Sequence, residues 1–108
     1  MRTPKTVLGL LKKAQRLLLE KGWTQRAFAR TSTGEPIGRY NRESKPVSFC
    51  ALGAVEHLSN NDYVRRDATY LLKDQIHYGS LIEWNDKRGR TKQQVIKLFD
   101  KAIEKAKR

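Results

Sequence analysis

The chain is predicted to be mainly α: a small single-domain helical bundle with a short irregular or β-hairpin element at about residues 23–47. Three observations point there. Apolar residues recur at spacings of three and four over several long stretches. Those stretches are preceded by Thr, Ser or Asn and followed by Gly, the residues that start and stop helices. The chain has 108 residues, 38% of them hydrophobic and 31% charged with both signs mixed, which suits one modest core and not a disordered chain.

The elements follow in order. Thr3 and Pro4 have the form of a cap and a first helical residue, and Val7, Leu8, Leu11, Ala14, Leu18 and Leu19 fall on one side, so a helix is expected over residues 4–21, stopped by Gly22. Residues 23–30 alternate partly between apolar and polar and are expected to be extended. Residues 31–47 hold Gly34, Pro36, Gly38 and Pro46 and form a long loop or the return arm of a hairpin. Ser48 is a plausible cap for a helix over 49–58 whose small residues, Gly53 and Ala54 among them, allow close approach; this should be the most buried helix. A third helix is expected over 62–77 with Val64, Ala68, Leu71 and Leu72 inward and Gly79 at its end. Ser80 opens a short helical turn through Trp84, a large apolar side chain expected to be buried. Asn85 and Asp86 are turn formers, Gly89 permits a left-handed backbone, and Thr91 with Gln94 has the form of a capping box. Val95, Leu98, Phe99, Ala102, Ile103 and Ala106 then mark the core side of a last helix from Lys92.

Charge is the strongest functional signal. The net charge is +12, and it is uneven: residues 87–108 carry nine basic and two acidic side chains, residues 1–22 six and one, and residues 49–86 only three against six. If the terminal helices lie side by side, they pool into one cationic face suited to a polyanion. Lys97, Lys101 and Lys105 form a ridge on the last helix, and Arg88 and Arg90 stand with Lys87 and Lys92 at its start. A helix start is already positive, so cations there need another reason, and a bound phosphate is one. Lys12 and Arg16 on the first helix complete the expected nucleic-acid contacts. Without a base-reading motif the contact would be largely through phosphates. The plain alternative is a solvated face.

Other constellations are weaker. Cys50 lies near a helix start, where a thiolate is favoured, and Asn85 and Asp86 could serve it, but a lone cysteine among Ala, Leu and Gly is usually a small buried hydrophobe. Asn85-Asp86 and Arg90-Thr91 are explained by a locked turn, with Asp86 accepting backbone N–H groups or pairing with Arg90. Tyr63, Asp67, Tyr70, Asp74 and His77 share a helix side, either an amphipathic border or a protein-docking surface; Asp74 and His77 alone make a poor metal pair. No cofactor fingerprint is present, and no metal or cofactor is expected. One cysteine allows no internal disulfide, no apolar run is long enough for a membrane span, and Lys12, Lys13 and Arg16 interrupt any secretory signal, so a cytoplasmic location is expected.

Three stretches carry a resemblance: G-W-T-Q-R-A-F-A-R from Gly22, F-C-A-L-G-A from Phe49, and W-N-D-x-x-x-R-T-x-x-x-V from Trp84 to Val95. With these the chain resembles a family of small uncharacterised proteins from actinobacteria and their phages. The resemblance implies a mobile-element setting and supplies no catalytic roles. The leading expectation is therefore a small basic non-enzymatic binding protein that contacts nucleic acid. The alternatives are a phage-type accessory protein that binds and inhibits a host protein, and a cysteine-dependent enzyme using Cys50. Oligomeric state is not legible.

Overall fold

The computed structural model describes residues 5–39, 41, 43–77 and 79–108. Five helices, α1 (Val7–Glu20), α2 (Ala51–Leu58), α3 (Asp62–Asp74), α4 (Leu81–Asp86) and α5 (Lys92–Ala106), surround one core. Three two-residue strands, β1 (Ala29–Arg30), β2 (Pro36–Ile37) and β3 (Ser48–Phe49), make an antiparallel sheet in the order β2-β1-β3. The chain is thus mainly α with a short β element.

Caps set the helix boundaries. Thr6, not Thr3, caps α1 by accepting from the Gly9 N–H, so the helix begins at Val7 and not at residue 4; Thr3 and Pro4 themselves lie outside the described residues. Asn61 accepts from the Tyr63 and Val64 N–H groups and opens α3. Ser80 with Glu83 and Thr91 with Gln94 both close full capping boxes. Gly89 takes the expected positive φ, 87°, in the turn before α5.

Several expectations need correction. Ser48 does not cap α2: it pairs in β3, and the Cys50 Sγ accepts from the Gly53 N–H instead, two residues later. The third helix ends at Asp74, with Gln75 as its cap, so His77 lies beyond it. On α1, Leu10 is fully buried while Leu19 is 54% exposed, because the core-facing stripe is rotated by part of a turn from the one expected. Trp84 is only half-buried; its neighbour Asn85 takes the buried position, at 0% exposure.

α1 runs through the centre and packs against α2, α3 and α5. Leu10, Leu11, Ala14 and Leu18 meet Ala51, Ala54 and Val55 of α2 and Val95, Phe99 and Ala102 of α5 in one buried cluster. The two terminal helices therefore do lie together. Gln15 seals their seam by donating to the Ile96 carbonyl and to Asp100, and Lys92 reaches the Leu19 carbonyl.

Candidate functional site

Three places hold chemistry-bearing side chains. The first is a buried tie between α4, α2 and the segment after α1. Asn85 Oδ1 accepts from Trp23 Nε1 at 2.7 Å and from the Ala51 N–H at 3.0 Å. Its Nδ2 donates to the Thr24 carbonyl at 3.1 Å and to Asp86 Oδ1 at 3.0 Å. Both donors of the amide and both lone pairs of its oxygen are thereby used. Asp86 also accepts the Arg26 N–H at 2.8 Å, which holds Arg26 at a positive φ of 64°. Gln25 donates to the carbonyls of Asn85 and Lys87. Asp86 therefore takes the expected backbone donor, whereas Arg90 turns away from it.

Cys50 adjoins this tie and is 3% exposed. Burial pushes its thiol up to about 11 and the Asp86 charge adds to that, outweighing the Gly53 and Leu52 N–H groups that favour the thiolate. His57 leans on the Phe49 ring, with centroids 4.9 Å apart, and His77 lines a cleft elsewhere, so each histidine has a separate setting. The chemistry fits a packed capping thiol. At pH 7.5, alkylation of the native protein should be at least about 100-fold slower than of the unfolded chain, since the reactive species is the thiolate and it is scarce and covered. Comparable rates in the two states would reverse this reading. Because the folded thiol keeps its proton to a higher pH than the usual 9.0, its contribution to stability is present below pH 9 and fades as pH rises toward about 11.

The second place is a cleft of about 370 Å³ between the end of α3, α4 and α5. Lys87, Arg90, Lys97 and Lys101 line it together with His77 and Trp84, and no carboxylate does so among the described residues. Arg90 is fixed there: its Nε donates to the Trp84 carbonyl at 2.9 Å and its guanidinium lies 3.8 Å over the indole ring. A cation at that carbonyl complements the C-terminal end of α4, which supplies a structural reason for an arginine just before α5. Lys105 follows Lys101 by one turn and is exposed, as is Arg88 in the turn. Lys12 and Arg16 are also exposed, but on α1, and Arg16 pairs with Glu20 at 4.0 Å. Asp100 accepts from Gln15 at the α1–α5 seam. Of the expected contact residues, Arg90, Lys97 and Lys101 come together in the cleft, which Lys12, Arg16, Arg88 and Lys105 do not line.

On α3, Tyr63 is 71% and Tyr70 56% exposed, with Asp67 and Asp74 also outward. Arg66 lies 5.3 Å over the Tyr63 ring and pairs with Asp67 at 3.7 Å. No group of three or more His, Cys, Asp or Glu that could hold a metal ion occurs among the described residues. No helix among them is long and apolar enough to cross a membrane.

The third place was not anticipated from sequence. A cavity of about 360 Å³ opens between α2 and the β1–β2 hairpin, with Phe28 and Phe49 as walls and Arg39, Asn41, Ser44, Glu56, His57 and Arg65 among its polar groups. The available signal was a single carboxylate in A-L-G-A-V-E-H-L, an otherwise small and apolar helix.

These features define a small helical domain built around a polar tie, with a cationic cleft on one side and a mixed polar pocket on the other. The chain belongs to a family of unknown function, DUF6197, whose profile matches residues 2–105. Comparison with curated proteins and with solved structures finds no match.

Proposed function

We propose that the protein is a non-enzymatic binding protein that contacts nucleic acid through the α4–α5 cleft, largely by its phosphates. One observation carries this reading: four cationic side chains, Lys87, Arg90, Lys97 and Lys101, converge on a concave surface that no described carboxylate lines. Like charges so placed repel one another and gain from a polyanion that threads between them. Arg90 is held by Trp84 and presents its guanidinium with little further loss of freedom. Lys105, one turn beyond Lys101, and Arg88, next to Lys87 in the chain, are exposed and add further cations near those positions in sequence. Lys12 and Arg16 then contribute long-range attraction more than contact.

Binding to duplex and single-stranded DNA and RNA should weaken steeply with salt. For duplex DNA four phosphates give a slope of about −3.6 in log K against log salt. The Lys97→Glu/Lys101→Glu double variant should bind at least about 10-fold more weakly, with the slope reduced by about 2. Absence of binding to all four nucleic acids at low salt would refute the proposal.

A second reading uses α3. Tyr63 and Tyr70 are exposed aromatic rings beside Asp67 and Asp74, the composition of a protein-docking surface, and a host protein is the partner this suggests. Capture of one partner from nuclease-treated lysate, lost in Tyr63→Ala/Tyr70→Ala, would favour it over the nucleic-acid reading.

A further inference from the structure

The α4–α5 cleft carries more than a row of phosphates needs. Lys97 and Lys101 are exposed point charges, whereas Arg90 is a fixed plane. Its guanidinium carbon lies 3.8 Å from the centre of the Trp84 ring, in van der Waals contact with one face of the indole. Its Nε donates to the Trp84 carbonyl at 2.9 Å and its Nη1 to Gln94 Oε1 at 3.4 Å. Hydrogen bonds of a guanidinium lie in its plane, so these two fix the edge and the indole covers one side. No further hydrogen bond, ion pair or ring engages the Arg90 guanidinium among the described residues.

A phosphate binds a guanidinium by its N–H edge, not by its face. The face suits a flat π-system, and Arg90 is ordered for one before any ligand arrives. Beside it the cleft is lined by the exposed His77 ring and by Ile76, surfaces that gain nothing from a phosphate. A ligand that uses the whole lining carries phosphates for Lys97 and Lys101 and an uncovered base for the Arg90 face. The cleft, about 370 Å³, is the size of a small-ligand site, enough for one nucleotide and far too small for a double helix.

We propose that the cleft binds single-stranded nucleic acid, with one base stacked on the Trp84–Arg90 pair and the flanking phosphates on Lys97 and Lys101. This rests on the nucleic-acid reading and narrows it to one kind of strand. In a duplex each base is covered on both faces by its neighbours, so only phosphates and base edges reach the protein and the Arg90 face goes unused. Stacking of this kind tolerates any sequence, because every base has a π-face.

The test is fluorescence anisotropy of the full chain with an oligothymidylate, an abasic strand of the same length and a duplex of the same length. The oligothymidylate should bind at least about 10-fold tighter than the abasic strand, which offers the same phosphates without bases. The duplex should bind no tighter than the oligothymidylate. Arg90→Lys keeps the charge and loses the plane: oligothymidylate binding should weaken by at least about 10-fold, while abasic-strand binding and the salt slope stay as they were. Lys97→Glu/Lys101→Glu should instead weaken both strands together. Equal affinity for the oligothymidylate and the abasic strand, tighter binding of the duplex, or full oligothymidylate affinity in Arg90→Lys would overturn the stacking and leave phosphate contact intact. Absence of binding to every strand at low salt would remove both readings. Should Arg90→Lys fail to fold, the abasic comparison on the unaltered chain decides.

Discussion

Asn85→Ala is expected to destabilise the protein by on the order of 4 kcal/mol. The substitution removes no large apolar surface; its effect is to strand polar groups. The Trp23 indole N–H, the Ala51 N–H and the Thr24 carbonyl all lose their partner at a position with 0% exposure. Each unsatisfied buried group costs about 1–3 kcal/mol, with some relief from relaxation or an entering water. Ala51 is the first residue of α2, so its N–H is one that the helix itself cannot satisfy. Asn85→Asp is a sharper comparison. It keeps both acceptor bonds but replaces the two donations to Thr24 and Asp86 with a charged oxygen facing the Asp86 carboxylate. It should be nearly as damaging at pH 7 and recover part of its stability as pH falls and a carboxyl is protonated. Chemical denaturation measures both, with the exposed Gln93→Ala as reference. A loss below 1 kcal/mol for Asn85→Ala would show that the tie is not a principal support of the fold.

Gly53→Ala should cost on the order of 3 kcal/mol, against the usual direction of such a change. In an open helix alanine is favoured over glycine by about 1 kcal/mol. Gly53 lies where α2 crosses the backbone of Phe28: a Cβ there would overlap the Phe28 carbonyl oxygen and sit 3.1 Å from its carbon. The same carbonyl accepts the Cys50 N–H, so it is pinned between the strand and the start of the helix. Backbone cannot turn aside as a flexible side chain can, and α2 must move outward to relieve the overlap. Gly38→Ala, where nothing lies within 4 Å of the added atom, should be close to neutral. The comparison is made by the midpoint of denaturant unfolding. A neutral or stabilising Gly53→Ala would mean that α2 and the Phe28 backbone are not held in close apposition. Since Phe28 and Gly53 both line the pocket around Glu56, the same variant should also disturb that site.

Much of the fold was legible because it depends on local rules. The Thr91–Gln94 box, Gly89 in the turn before it, and the apolar spacing of α5 are each decided within a few residues. The extended segment after α1 was legible only as a tendency. Its strands are two residues long, too short for alternation to distinguish from a loop, and their partners come from residues up to about twenty positions away. The Trp84–Asn85 pair was misjudged for a related reason. Size favours tryptophan for a buried site, but Asn85 is held inside by donors and acceptors from residues 23, 24 and 51, which no local pattern shows. Cys50 is legible as a small buried hydrophobe from its Ala, Leu and Gly neighbours, but its role as the cap of α2 follows from the β3 pairing that removes Ser48 from that position.

By itself the sequence determined that the chain is mainly helical, the caps at Ser80 and Thr91 and a strongly basic net charge, because these follow from backbone preference, nearest-neighbour hydrogen bonds and composition. Tertiary structure alone decided which cations share a surface: Lys97 and Lys101 join Arg90 in a cleft that Lys12 and Arg16 do not line. It also decided that Glu56 would be buried against Arg39, seventeen positions earlier, in a cavity that Arg65 also lines. The reason is physical: electrostatic and hydrogen-bonding partners are set by distance through space, and packing brings together residues that the chain order keeps apart.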